Sequence, residues 1–90
     1  MKHLSHIIEN FSDWSKPWTF YKSILNNTEL NDAEKEFFSK IYKKASNYEI
    51  WNYSDLTIGA KNSRFFLRNN TDFSEKTIKQ IVNAIAYEWK

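Results

Sequence analysis

Apolar residues recur at helical spacing along most of the chain. Leu4, Ile7, Ile8 and Phe11 lie three and four apart, so the first dozen residues predict a short amphipathic helix ending near Ser12 or Asp13. Ser15 is a suitable N-cap for a second short helix, and Pro17 fits its first turn, where no intrahelical N–H bond is lost. Trp18, Tyr21 and either Ile24 or Leu25 would line its buried face before Asn26 and Asn27 end it, because asparagine side chains compete for backbone hydrogen bonds. Asn31 and Glu34 have the spacing of a capping box, and Asp32 adds negative charge where the helix dipole favours it. The third helix carries Ala33, Phe37, Phe38, Ile41, Tyr42 and Ala45 as its apolar stripe and runs to about Ser46.

Residues 47–53 have no clean helical period and read as a loop or a short extended segment, although unusually aromatic for either. Ser54 is the expected cap of a fourth helix with Leu56, Gly59, Ala60, Ser63, Phe66 and Leu67 on one narrow face. Gly59 costs about 1 kcal/mol relative to Ala inside a helix, so either tight packing offsets it or the helix is interrupted there. Asn69 and Asn70 end this segment, and Ser74 with Glu75 begins the last. There Ile78, Ile81, Val82, Ile85, Ala86 and Trp89 give the cleanest period in the chain. The pattern as a whole predicts an all-α fold, a compact single-domain bundle of about five short helices over residues 1–90, with no internal repeat or linker.

Composition turns this fold towards contact rather than chemistry. Aromatic residues make up 18% of the 90, whereas cysteine is absent and only two histidines occur. Without cysteine there is no disulfide framework and no thiolate metal site, which suits a reducing compartment. The first ten residues lack the uninterrupted apolar core of a secretory signal, and no run approaches the roughly 20 residues that span a bilayer. A cytoplasmic location with no membrane contact is the expectation. His3 and His6 could share a helix face, but a near-terminal pair without an acidic or cysteine partner reads as solvated rather than metal-ligating. No nucleophile–base–carboxylate set and no Gly-rich phosphate loop is evident, so neither enzyme nor cofactor is expected.

The side chains support two binding readings. Tyr48, Trp51 and Tyr53, flanked by Glu49 and Asp55, supply large rings with few rotors and a polar handle, the chemistry of a protein interface. A core role for Trp51 is the competing possibility, since a domain this small needs large side chains inside. Lys61, Arg64 and Arg68 fall on one face of the fourth helix, and Lys40, Lys43 and Lys44 form a second basic cluster. Such groups would meet phosphates, yet net charge is only +2 and charges opposite an apolar stripe are usually a solvated face. Nucleic-acid binding therefore ranks behind protein binding, with the basic residues of the fourth helix serving as a second patch.

The succession Leu4-Ser5-x-Ile7-Ile8, Phe11-Ser12-Asp13-Trp14, Pro17-Trp18-x-Phe20-Tyr21, Leu30 with Glu34-Lys35-x-Phe37, and Ile81-Val82-x-Ala84-x-Ala86-Tyr87-Glu88-Trp89 resembles the small immunity proteins of bacterial contact-dependent growth inhibition systems. The resemblance spans nearly the whole chain. It implies a monomeric inhibitor that binds the C-terminal toxin domain of a cognate effector in a 1:1 complex in the cytosol, without cofactor or turnover. It transfers no binding residue by position. A small nucleic-acid-binding regulator, or a phage or antitoxin-type inhibitor of another enzyme, is the alternative.

Overall fold

The computed structural model describes residues 2–89, and among them the secondary structure is helical without a strand. Helix α1 spans Lys2–Glu9, a 3-10 turn at Pro17–Thr19 runs directly into α2 at Phe20–Leu25, and α3 spans Asp32–Ala45. Then come α4 at Tyr48–Trp51, α5 at Leu56–Asn70 and α6 at Glu75–Glu88. The all-α bundle is the one that the periodicity predicts. Its additional element is α4, a single turn in the segment whose pattern suggests loop or extended chain.

Caps explain most of the boundaries. The capping box of α3 is complete, with Glu34 N–H donating to Asn31 Oδ1 at 2.8 Å and Asn31 N–H donating to Glu34 Oε1 at 3.0 Å. Asn47 accepts from Glu49 N–H at 2.8 Å and starts α4, a local signal strong enough to close one turn. Asp55, rather than Ser54, is the N-cap of α5 and accepts from Thr57 N–H at 2.8 Å. Ser74 caps α6 as its position predicts.

Expectations for the N-terminal half are corrected at four points. Helix α1 stops at Glu9, where Asn10 folds its side-chain amide back onto the His6 carbonyl at 2.7 Å. Phe11 thereby leaves the helix and packs edge-on against Trp14 and Phe20, at centroid distances of 4.9 and 5.1 Å. Ser15 caps nothing, because its hydroxyl donates to Asp13 at 2.8 Å and the 3-10 turn has no side-chain cap. That turn winds at three residues per turn and shifts the phase of the helical face carried into α2. In consequence Trp18 points outward at 56% exposure and Phe20 takes the buried position. Ala33, placed by its spacing on the α3 stripe, is exposed as well.

Helix α6 is the centre of the core. Its Ile78, Ile81, Val82, Ala84 and Ile85 are buried against α5 on one side and against α1 and the 3-10 turn on the other. Polar staples fix α1 in place, since Ser74 Oγ donates to Glu9 at 3.0 Å and Gln80 Nε2 to the Phe11 carbonyl at 3.3 Å. The core cluster draws on every helix. No helix among the described residues is long and apolar enough to cross a membrane.

Candidate interaction surface

The α4–α5 segment is organised by Trp51, which is 2% exposed. Its indole Nε1–H donates to the Ala45 carbonyl at 2.7 Å, and Ser63 Oγ donates to the same oxygen at 3.0 Å. Ala45 is the last residue of α3, so two side chains satisfy a carbonyl that its own helix leaves unpaired. Gly59 makes room for the ring. A Cβ built there would lie 2.5 Å from Cε3 and 2.8 Å from Cδ2 of Trp51. Of the two options open at Gly59, close packing is the one realised, and α5 runs uninterrupted through it. Trp51 is accordingly removed from the expected interface: it fills the core because α4 turns it inward against α5.

Burying Trp51 sends its neighbours outward. Tyr48 is 63% and Tyr53 49% exposed, and Glu49 and Asp55 are exposed beside them. The Tyr48 ring leans on Trp89 at the end of α6, with centroids 6.3 Å apart, so it is held by a neighbour rather than free to swing. Asp55 is committed to its cap at α5, which leaves Glu49 as the acid of this group without a structural task in the caps. Along the chain these four residues occupy α4, the link that follows it and the cap of α5.

Lys61, Arg64 and Arg68 are all exposed along α5, beyond that cap. Arg68 is occupied, because its Nε and Nη2 donate to the two carboxylate oxygens of Glu75 at 2.8 and 3.0 Å. The hydrogen bonds and then the opposite charge raise Arg68 above its ordinary value. They hold Glu75 below the usual carboxylate range, with Arg64 adding a smaller pull. Both side chains are solvated, so the pair orients Arg68 more than it stabilises the fold.

Two residues that periodicity does not single out belong to this surface. Ile58 and Phe65, at i and i+7, lie on the outer face of α5 with exposures of 43% and 64%. Lys61 falls between them along the helix axis, and Arg64 and Arg68 lie to the α6 side of Phe65. Their signal in the sequence is their position: both are large apolar residues on the side of the helix opposite Gly59, Ser63 and Leu67. A separate exposed aromatic pair, Trp18 and Tyr87, has its centroids 6.1 Å apart where the 3-10 turn meets α6.

A further group of polar side chains, Asp13, Lys16, Lys22 and Ser23, lines a cavity of about 480 Å³ beside Trp18. His3 and His6 are exposed, and no three His, Cys, Asp or Glu side chains among the described residues are grouped to hold a metal ion. Tyr42 is buried with its hydroxyl unpaired; burial first, and then the nearby Glu88 carboxylate, push its ionisation well above the usual phenol value. Set against known proteins, the chain matches no protein-family model, no curated protein and no solved structure.

Proposed function

We propose that the protein is an immunity protein, one that binds the C-terminal toxin domain of a cognate contact-dependent growth inhibition effector in the cytosol and neutralises it by direct 1:1 contact. The observation that carries the protein-binding part is the concentration of exposed apolar bulk on one segment. Of the six large hydrophobic side chains exposed among the described residues, Tyr48, Tyr53, Ile58 and Phe65 all lie on α4, α5 and the link between them. Single exposed hydrophobics are ordinary, but a group of them on a rigid element is the usual form of a binding site. Tyrosine and phenylalanine rings lose little rotamer freedom on docking and bury large areas, so they supply affinity at low entropic cost.

The geometry suits inhibition by cover. Helix α5, at about 1.5 Å per residue, presents a ridge of roughly 22 Å, about two thirds of the width of an interface of about 800 Å² per partner. The resemblance to immunity proteins supplies the partner class, and the surface supplies the means of contact. The function needs neither a cofactor nor a bond-making step.

The test pairs the purified protein with the toxin domain that this reading expects to be encoded immediately upstream of its gene, measured by calorimetry and by protection of cells expressing the toxin. Stoichiometric 1:1 binding with protection is expected, and a Tyr48→Ala/Tyr53→Ala variant should lose about 2 kcal/mol of affinity while retaining its helical signal. Absence of both binding and protection would overturn the proposal. Affinity for nucleic acid that collapses with salt would replace it by the regulator reading, which the exposed Lys61 and Arg64 favour.

A further inference from the structure

Helix α5 stands between two grooves, and cations line both. On one flank a cavity of about 240 Å³ lies between α5 and α6, bounded by Arg64, Lys79 and Glu75 over a floor at Val82. On the other flank a cavity of about 190 Å³ lies between α3 and α5, with Lys40 and Lys44 on its rim and Phe37, Ile41 and Phe66 beneath. The ridge between them carries Ile58, Lys61 and Phe65. Packing α3 against α5 has thus brought the two basic clusters, distant in sequence, to opposite sides of one exposed ring.

We infer that this α3–α5–α6 face docks an acidic surface of a partner protein, with Phe65 seated in an apolar socket of the partner and carboxylates meeting Arg64 and Lys79 on one side and Lys40 and Lys44 on the other. The inference rests on the protein-binding reading and adds to it the contact face and the charge of the partner. Charge complementarity carries it: α5 contains three basic residues and no acidic one, and because Arg68 and Glu75 engage each other, Lys61 and Arg64 are the α5 cations that face a partner, with Lys79 beside them in the α5–α6 groove. An opposing carboxylate therefore gains an attraction that no side chain within α5 supplies, and a basic partner surface is repelled. The apolar components select protein over nucleic acid. Ile58 has no π-face for a base, and the floor of the α3–α5 groove is built from Phe37, Ile41 and Phe66, an apolar surface that a phosphate backbone leaves unfilled even where it meets Lys40 and Lys44 on the rim. A consequence for inhibition is that the protein does not cover a cationic, phosphate-binding cleft through this face.

Four full-length proteins test this: wild type, Phe65→Ala, Lys61→Glu/Arg64→Glu and Tyr48→Ala/Tyr53→Ala. Each is titrated with the upstream-encoded toxin domain and with a 20-nucleotide oligothymidine, after circular dichroism has established that it is folded. Phe65 is 64% exposed and Lys61 and Arg64 are exposed, so these substitutions leave the core untouched. The expected result is toxin-domain binding weakened at least about tenfold by Phe65→Ala. The charge reversal should weaken it at least about tenfold as well, mainly through slower association and with a flatter salt dependence. Wild-type affinity in both α5 variants, with loss only in the Tyr48/Tyr53 variant, overturns this inference and leaves the protein-binding reading standing. Lack of any wild-type complex overturns both. Oligothymidine binding that the α5 variants abolish overturns the partner class and assigns the face to nucleic acid.

Discussion

Trp51 and Gly59 set each other's size. The indole fills the space that a Cβ at position 59 would enter, so Gly59→Ala gains about 1 kcal/mol of helix propensity but must displace a ring fixed by its bond to Ala45. Overpacking of this kind costs about 1–3 kcal/mol, and the net expectation is a loss of about 1 kcal/mol in urea denaturation. Trp51→Phe should relieve part of that loss, making the double variant less destabilised than the sum; strict additivity would mean the ring does not contact position 59. Tyr42 is the opposite case, a buried hydroxyl without a partner. Deleting it removes a desolvated group that makes no hydrogen bond of ordinary length, although the Glu88 carboxylate lies near it, so Tyr42→Phe should stay within about 1 kcal/mol of wild-type stability. A clear loss would mean that the hydroxyl is paired after all. Because burial raises the phenol's ionisation, it stays neutral in the folded protein. Its linkage therefore costs stability only as pH rises past the unfolded tyrosine value of about 10.

At the scale of the element, short-range caps decide where helices begin, and their effects are local. Asn31→Ala removes the side-chain half of the α3 capping box, the acceptor for Glu34 N–H, and keeps the backbone N–H that donates to Glu34; it should lower stability by about 1 kcal/mol without altering the exposed face of α5. An unchanged denaturation midpoint would show that the box is incidental. The α5–α6 hairpin is pinned near its turn by Arg68 and Glu75. Glu75 has a folded ionisation below its unfolded one, so its contribution is present above the ordinary carboxylate range and fades as pH falls through the lowered value. The pair is solvated, and the readout is therefore spectroscopic: the Glu75 carboxyl should titrate below the usual glutamate value of about 4.3 and return towards it in Arg68→Gln. An ordinary midpoint in the wild type would show that the bidentate contact does not persist in solution.

The whole molecule has one core to which every helix contributes. Far-UV circular dichroism and tryptophan emission should accordingly report the same urea midpoint, since the buried Trp51 and the helices that enclose it can only be lost together. Separate midpoints would identify a part of the chain, α1 or α4, that opens by itself. Tertiary packing also decides what the surface offers. The acidic and aromatic group around Tyr48 and the basic ridge of α5 are consecutive in sequence, but the cations of α3 and α6 join that ridge only through the packing of three helices.

Helices α3, α5 and α6 were legible from the residues alone, because each repeats its apolar spacing over three or more turns and carries its cap within four residues of its start. The all-α class has the same cause. The 3-10 turn and α4 were not legible: three or four residues are too few to display a period, and their geometry depends on what they pack against. That is why the positions of Trp18 and Trp51 were exchanged between outside and inside, with Phe20 taking one expected place in the core and Phe65 emerging as the exposed ring at the centre of the candidate face. Hydrophobicity and spacing are properties of a segment and determine which helices form. Burial of a given ring depends on a neighbour far along the chain, as that of Trp51 depends on Ala45 and Gly59, and only the folded structure decides it.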